Sequence, residues 1–110
     1  MELTGNQELP KPQEAAAPEA TTATATFTVQ NDKGLHTRPS TELVKITSSY
    51  KSSVRLIHQD NAVNAKSLLG ILMLAAGRGS KITVEATGPD AQAACDAVLA
   101  LARAKFNIRY

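Results

Sequence analysis

A chain of 110 residues, 43% hydrophobic and 20% charged, is long enough for one small domain with its own core. Its single cysteine, Cys95, excludes an internal disulfide framework and fits a reducing compartment. The net charge of +2 is uneven: four glutamates against one lysine give residues 1–22 a charge of −3, which leaves +5 on the remainder. Aromatic residues are only 4% and no dense basic run appears, so acidic protein surfaces are better partners for the basic part than nucleic acid. Glu2 stands where a secretory signal would be basic, and the most apolar run, residues 68–76, is broken by Gly70 and too short to span a bilayer. A soluble cytoplasmic protein without membrane attachment is expected.

Residues 1–22 are rich in Ala, Pro, Thr and Glu and hold almost no large apolar side chain. Such a segment cannot bury enough surface to offset its ordering entropy, so a disordered tail is expected, with the folded domain over residues 23–110. From Thr24 the pattern alternates, with Ala25, Phe27 and Val29 on one side and Thr24, Thr26 and Thr28 on the other, which predicts a half-buried strand over residues 23–30. Asn31-Asp32-Lys33-Gly34 is turn chemistry. A helix of about three turns follows from near Thr37, with Leu43, Val44, Ile46 and Tyr50 as its apolar side.

Val54 and Leu56 mark a second strand over residues 53–58. Gln59-Asp60-Asn61 reads as a hairpin turn, and residues 62–65 as a short third strand. Ser67 opens a short helix over residues 68–74, closed by Gly77 and Gly79. Residues 81–87 form the fourth strand, with Ile82, Val84 and Ala86 inward. Gly88-Pro89-Asp90 caps a final helix whose stripe is Ala94, Cys95, Val98, Leu101 and Ala102, extended by Phe106. The order is βαββαβα, and its short connections favour an α+β fold with an antiparallel sheet and helices on one face.

The residues that carry chemistry lie in Gly34-Leu35-His36-Thr37-Arg38-Pro39-Ser40. Pro39 suits the first helical turn, which places His36 near the N-cap, where backbone N–H groups point outward and can hold an anion. A neutral, nucleophilic imidazole is expected at that positive helix end. A cation is mildly unfavourable there, so Arg38 asks for an anion nearby. His58 has no ligand-spaced partner, and no metal site is predicted. Paired carboxylates, a Ser/His/Asp set and a Gly-rich nucleotide loop are all missing, so any phosphoryl donor must be another protein.

Gly34-Leu35-His36-Thr37-Arg38-Pro39 resembles the active-site signature of the histidine-containing phosphocarrier (HPr) family of the bacterial phosphoenolpyruvate-dependent phosphotransferase system. Asn64-Ala65-Lys66-Ser67-Leu68-Leu69-Gly70 resembles that family's second signature, around its regulatory serine, and the 31-residue offset from His36 to Ser67 matches as well. The resemblance covers roughly residues 23–106. It implies an open-faced β-sandwich with a four-stranded antiparallel sheet in the order 1-4-2-3. It implies His36 as a phosphohistidine intermediate, formed at Nδ1, with Arg38 steadying the phosphate. Enzyme I would be the donor and enzyme IIA proteins the acceptors, with no cofactor and a monomeric carrier.

By the same resemblance Ser67, itself a favoured N-cap residue, is a target for an HPr kinase/phosphorylase. Leu68, Leu69 and Met73 would be core residues by default; the resemblance implies an apolar docking patch instead, with Leu69 and Met73 exposed. Thr37 belongs to the docking region, and Lys45 and Lys66 are either rim charges or merely solvated. Ser48 and Gly70 stand where many or some relatives carry lysine, so docking would lean on apolar contact. The long N-terminal segment departs from the family pattern, as a tether, a partner-binding arm or a wrongly assigned start. Val84-Glu85-Ala86-Thr87-Gly88-Pro89 resembles the nitrogen-type regulatory carriers, whereas the His36 and Ser67 motifs fit the sugar branch. A small βα binding module without covalent chemistry is the reading from a different class.

Overall fold

The computed structural model describes residues 21–108. The tail expected over residues 1–22 therefore lies outside them, apart from Thr21 and Thr22. The elements run β1 (Thr22–Thr28), α1 (Thr37–Thr47), β2 (Ser53–His58), β3 (Asn61–Asn64), α2 (Leu68–Met73), β4 (Lys81–Thr87) and α3 (Ala91–Arg103), and a short turn, Lys105–Asn107, follows. The sheet has the order β1-β4-β2-β3, antiparallel throughout.

Strand alternation decides which face is buried. Ala23, Phe27, Val54, Leu56, Ile82, Val84 and Ala86 point to the helices and are buried. At the centre, Val84 sits opposite both Ala25 and Leu56. From the helices come Leu43, Ile71, Ala94, Cys95, Val98 and Leu101. Burial pushes the Cys95 thiol above its ordinary value, with a smaller contribution from the Asp96 charge, so it behaves as a small core side chain.

Several boundaries differ from those the sequence predicts. β1 begins at Thr22, whose hydroxyl lies 3.3 Å from that of Thr87 on β4. α1 stops at Thr47, so Tyr50 falls beyond it: the buried Thr47 hydroxyl donates to the Leu43 carbonyl at 2.9 Å and the Ala65 carbonyl at 2.8 Å. β3 starts at Asn61, because the hairpin turns on Gln59 and Asp60 alone, with Gln59 at φ 56°. Asp90 occupies the N-cap position of α3 without bonding its own helix. Its carboxylate instead accepts from the backbone N–H of Lys51 (2.9 Å) and of Ser52 (2.8 Å) and from the Ser52 hydroxyl (2.5 Å).

After α3 the chain makes a left-handed turn, with φ of 52°, 57° and 62° at Lys105, Phe106 and Asn107. Side chains pay roughly 1–2 kcal/mol per residue in that region. Two contacts offset this cost. Phe106 is 1% exposed and meets the edge of Phe27 at 6.0 Å, and the Asn31 amide donates to the Lys105 carbonyl at 3.0 Å.

Candidate functional site

The loop from β1 to α1 is fastened to the loop that leaves α2. Gly34 turns at φ +69°, and a Cβ there would stand 2.3 Å from the Ala76 carbonyl oxygen. The same carbonyl accepts from Leu35 N–H at 2.9 Å. Leu35 is buried, and the buried Ser40 hydroxyl donates back to the Leu35 carbonyl at 3.0 Å. Backbone on both sides of His36 is thereby fixed before its ring is considered.

His36 is the N-cap residue of α1, extended at φ −78° and ψ −166°, and its side chain makes no capping bond. The ring is half-buried, with Nε2 on the buried side. The helix begins with the bond from Ser40 N–H to the His36 carbonyl at 3.0 Å. Pro39 has no N–H, so Thr37 and Arg38 supply the first-turn amide donors beyond the cap itself. No acidic residue stands in that first turn. Arg38 is exposed, and no carboxylate among the described residues comes within 4 Å of it. An anion arriving at His36 would thus meet two amides and one guanidinium without an internal competitor in contact.

Glu42, one turn further on, is held below the ordinary carboxylate range. The hydrogen bond from Lys45 at 3.1 Å contributes most and that from Asn107 at 3.5 Å next, with the charges of Lys45 and Arg38 contributing less. Lys45 is therefore an exposed charge with a carboxylate partner.

Ser67 is the N-cap of α2, and its hydroxyl accepts from Gly70 N–H at 3.1 Å. Below it Ile71 is fully buried, while Leu68, Leu69 and Met73 are 38%, 68% and 73% exposed. The expectation that Leu69 and Met73 face outward matches these exposures. Lys66 differs from the picture of a rim charge: its ammonium donates to the Tyr50 carbonyl at 2.8 Å and straps α2 to the loop after α1. Sequence reasoning missed Ala76, whose carbonyl positions Leu35. Its only signal was the neighbouring Gly77 and Gly79, which read as a helix end. It missed Glu42 and Asn107 too, since an isolated carboxylate and amide far apart in sequence give no motif.

Among the described residues no three His, Cys, Asp or Glu side chains gather to hold a metal ion. No helix there is long and apolar enough to cross a membrane.

Residues 23–104 match the family model for the PTS HPr component phosphorylation site. The chain is 44% identical over 80 residues to phosphocarrier protein HPr of Cupriavidus necator, an alignment covering 73% of this chain and 90% of that protein. It is 40% identical over 80 residues to phosphocarrier protein NPr of Shewanella violacea, covering 73% and 88%. Among solved structures, HPr-C-His from Thermoanaerobacter tengcongensis matches with a TM-score of 0.76 at 31% identity, covering 80% of this chain and 99% of that one. HPr from Bacillus anthracis str. Ames matches with a TM-score of 0.70 at 32% identity, covering 74% and 96%. With the strand order, the histidine at the mouth of α1 and these matches in agreement, the chain belongs to the HPr family of phosphocarrier proteins of the phosphotransferase system.

Proposed function

We propose that His36 carries the phosphoryl group and that Nδ1 accepts it. The observation that supports this most directly is the half-buried ring at the mouth of α1, where the Thr37 and Arg38 amides begin the helix, with Nε2 on its buried side. With its proton on Nε2, the ring presents the Nδ1 lone pair to the phosphorus of phosphorylated enzyme I. The new N–P bond forms as the donor's N–P bond breaks, in line and through a loose transition state, so positioning and charge stabilisation are the main work. Thr37 and Arg38 amides and the Arg38 guanidinium then hold the phosphate oxygens. The step runs again in the forward sense toward an enzyme IIA protein. Fast reversibility requires that the phosphate be held by few donors, and the mouth of α1 offers few.

The exposed Leu68, Leu69 and Met73 form the apolar docking patch, with Thr37 beside the histidine and Lys45 at the rim. Lys66 acts through the strap to Tyr50 more than as a free charge. Ser67 is a target for an HPr kinase/phosphorylase, because a phosphate at that N-cap is well placed for the helix while it sets negative charge against an incoming partner. The carrier works in the cytoplasm. Residues 1–22 take no part in transfer, and deleting them leaves both transfers intact.

The experiment is incubation with enzyme I and labelled phosphoenolpyruvate. An acid-labile label on the wild type that is lost in His36→Ala is the expected outcome; an equal label on that variant overturns the assignment. Sugar-type IIA proteins are expected to discharge the carrier. The 40% identity to an NPr supports a second reading, service to a regulatory nitrogen-type IIA protein, and adding the two acceptors in turn decides between them.

A further inference from the structure

One end of the sheet carries two lysines without carboxylate partners. Thr22, Thr87 and Ser53 stand side by side there on β1, β4 and β2, at the end away from Thr28 and the loop that holds His36. Lys51 enters that end just ahead of β2, and Lys66 leaves it just after β3. Among the described residues no carboxylate comes within 4 Å of either ammonium. Lys51 is exposed, and Lys66 spends one of its three N–H groups on the Tyr50 carbonyl. The carboxylates nearest in the fold are already engaged: Glu85 holds Arg55 at 2.6 Å, and Asp90 accepts from Ser52 and two backbone amides. At this same end lies a groove of about 330 Å³, lined by Ser53, Arg55, Asn64 and Lys66 among others.

The chain itself supplies the complement. Glu14-Ala15-Ala16-Ala17-Pro18-Glu19 holds two carboxylates and no cation, and joins the described residues at Thr21. From Thr22 to Ser53 is two strand spacings, about 10 Å, and Asn64 on β3 lies about 16 Å away. Glu14 stands seven residues before Thr21 and Glu19 two. At about 3.3 Å per residue their backbones reach roughly 23 Å and 7 Å, and the glutamate and lysine side chains close the rest.

We propose that this segment of the same chain seats in the groove, with Glu19 paired to Lys51, Glu14 paired to Lys66 and the three alanines crossing between them. A single exposed ion pair adds little, but a short tether holds the carboxylates at an effective concentration of about millimolar, so the two pairs act together. The seat depends on charge and weakens with salt. It lies at the end of the sheet away from His36, in keeping with a segment that takes no part in transfer.

Paramagnetic relaxation on the full chain tests the seat. A nitroxide at Ala16→Cys labels the segment alone, since Cys95 is fully buried. In about 10 mM salt, where charges act over about 30 Å, the amide signals of Asn64 and Lys66 should lose about half their intensity or more. In about 1 M salt, where that range is about 3 Å, most of the loss should be recovered. E14Q/E19Q should give the same recovery at low salt while leaving the folded domain unaltered. E19K should also restore the signals, and E19K/K51E should broaden them again by reversing the pair, without touching the Lys66 strap. Broadening that salt or E14Q/E19Q leaves unchanged, or an E19K/K51E chain no more broadened than E19K, would overturn the proposal. Broadening passed only from a spin-labelled chain to a separate, isotope-labelled one would overturn it too, by placing a second copy in the groove.

Discussion

At the scale of single residues, the site is spare. Pro39 removes one amide donor from the mouth of α1, which leaves Thr37 and Arg38 to receive an anion, and Arg38 has no carboxylate in contact among the described residues. Charge-assisted bonds to phosphate contribute about 1.5–3 kcal/mol, so Arg38→Ala should slow transfer from enzyme I by roughly 10- to 100-fold. In the free protein its exposed side chain adds only a weak charge effect at Glu42, so the melting temperature should stay within about 2 °C. Stopped-flow transfer and a thermal melt on one preparation check both halves. His36 and Arg38 were legible from the sequence because a turn, a histidine and a helical proline stand within nine residues. The Ala76 carbonyl was not, because a backbone atom of an alanine carries no mark of what it will hold.

Among the elements, the helix caps differ in what their side chains hold. Ser67→Ala removes the hydroxyl that accepts from Gly70 N–H and should cost about 1 kcal/mol in urea unfolding, with transfer unchanged. Ser67→Asp keeps a capping oxygen and adds a charge beside Leu68 and Leu69, so stability should hold while the KM for enzyme I rises. Asp90 shows the limit of reading a cap from residue type. A carboxylate before a helix looks like its cap, yet the loop after α1 presents the Ser52 hydroxyl and two amides, and the carboxylate turns to them. The Ser52 hydroxyl, then the Lys51 N–H, lower it from the ordinary 3.8 to about 2. A value lowered by folding gives stability that is complete above about pH 4 and is lost as pH falls through about 2. Asp90→Asn should flatten stability over that interval, and urea titrations at successive pH values measure it. Where alternation was strong and turn residues stood at both ends, as in β2 and β4, the expected bounds agree with the observed ones. In α1 the apolar Tyr50 extended the pattern past a helix that ends where the Thr47 hydroxyl turns to the Ala65 carbonyl.

Across the whole molecule, Phe106 joins the turn after α3 to β1 by packing on Phe27. Phe106→Ala should cost about 3–5 kcal/mol, a large share of the stability of so small a domain. Lys105→Gly should instead stabilise by about 0.5–1 kcal/mol, because glycine accepts the left-handed backbone while losing more chain entropy on folding. Chemical denaturation of the two variants gives opposite signs if the turn is strained as described. No glycine or asparagine pair announced that turn, and only the need to bring an aromatic ring back over the sheet explains it. The seam where Gly34 and Leu35 meet Ala76 has a consequence for how such a chain can change. The segment bearing His36 and the segment behind α2 are buttoned at the Ala76 peptide group, with the Arg78–Asp32 ion pair and the Val29–Gly79 bond beside it, so a residue added to or removed from either would shift the imidazole against α2. The outward side chains of α2 can therefore drift freely, while the lengths of these two connections stay locked together.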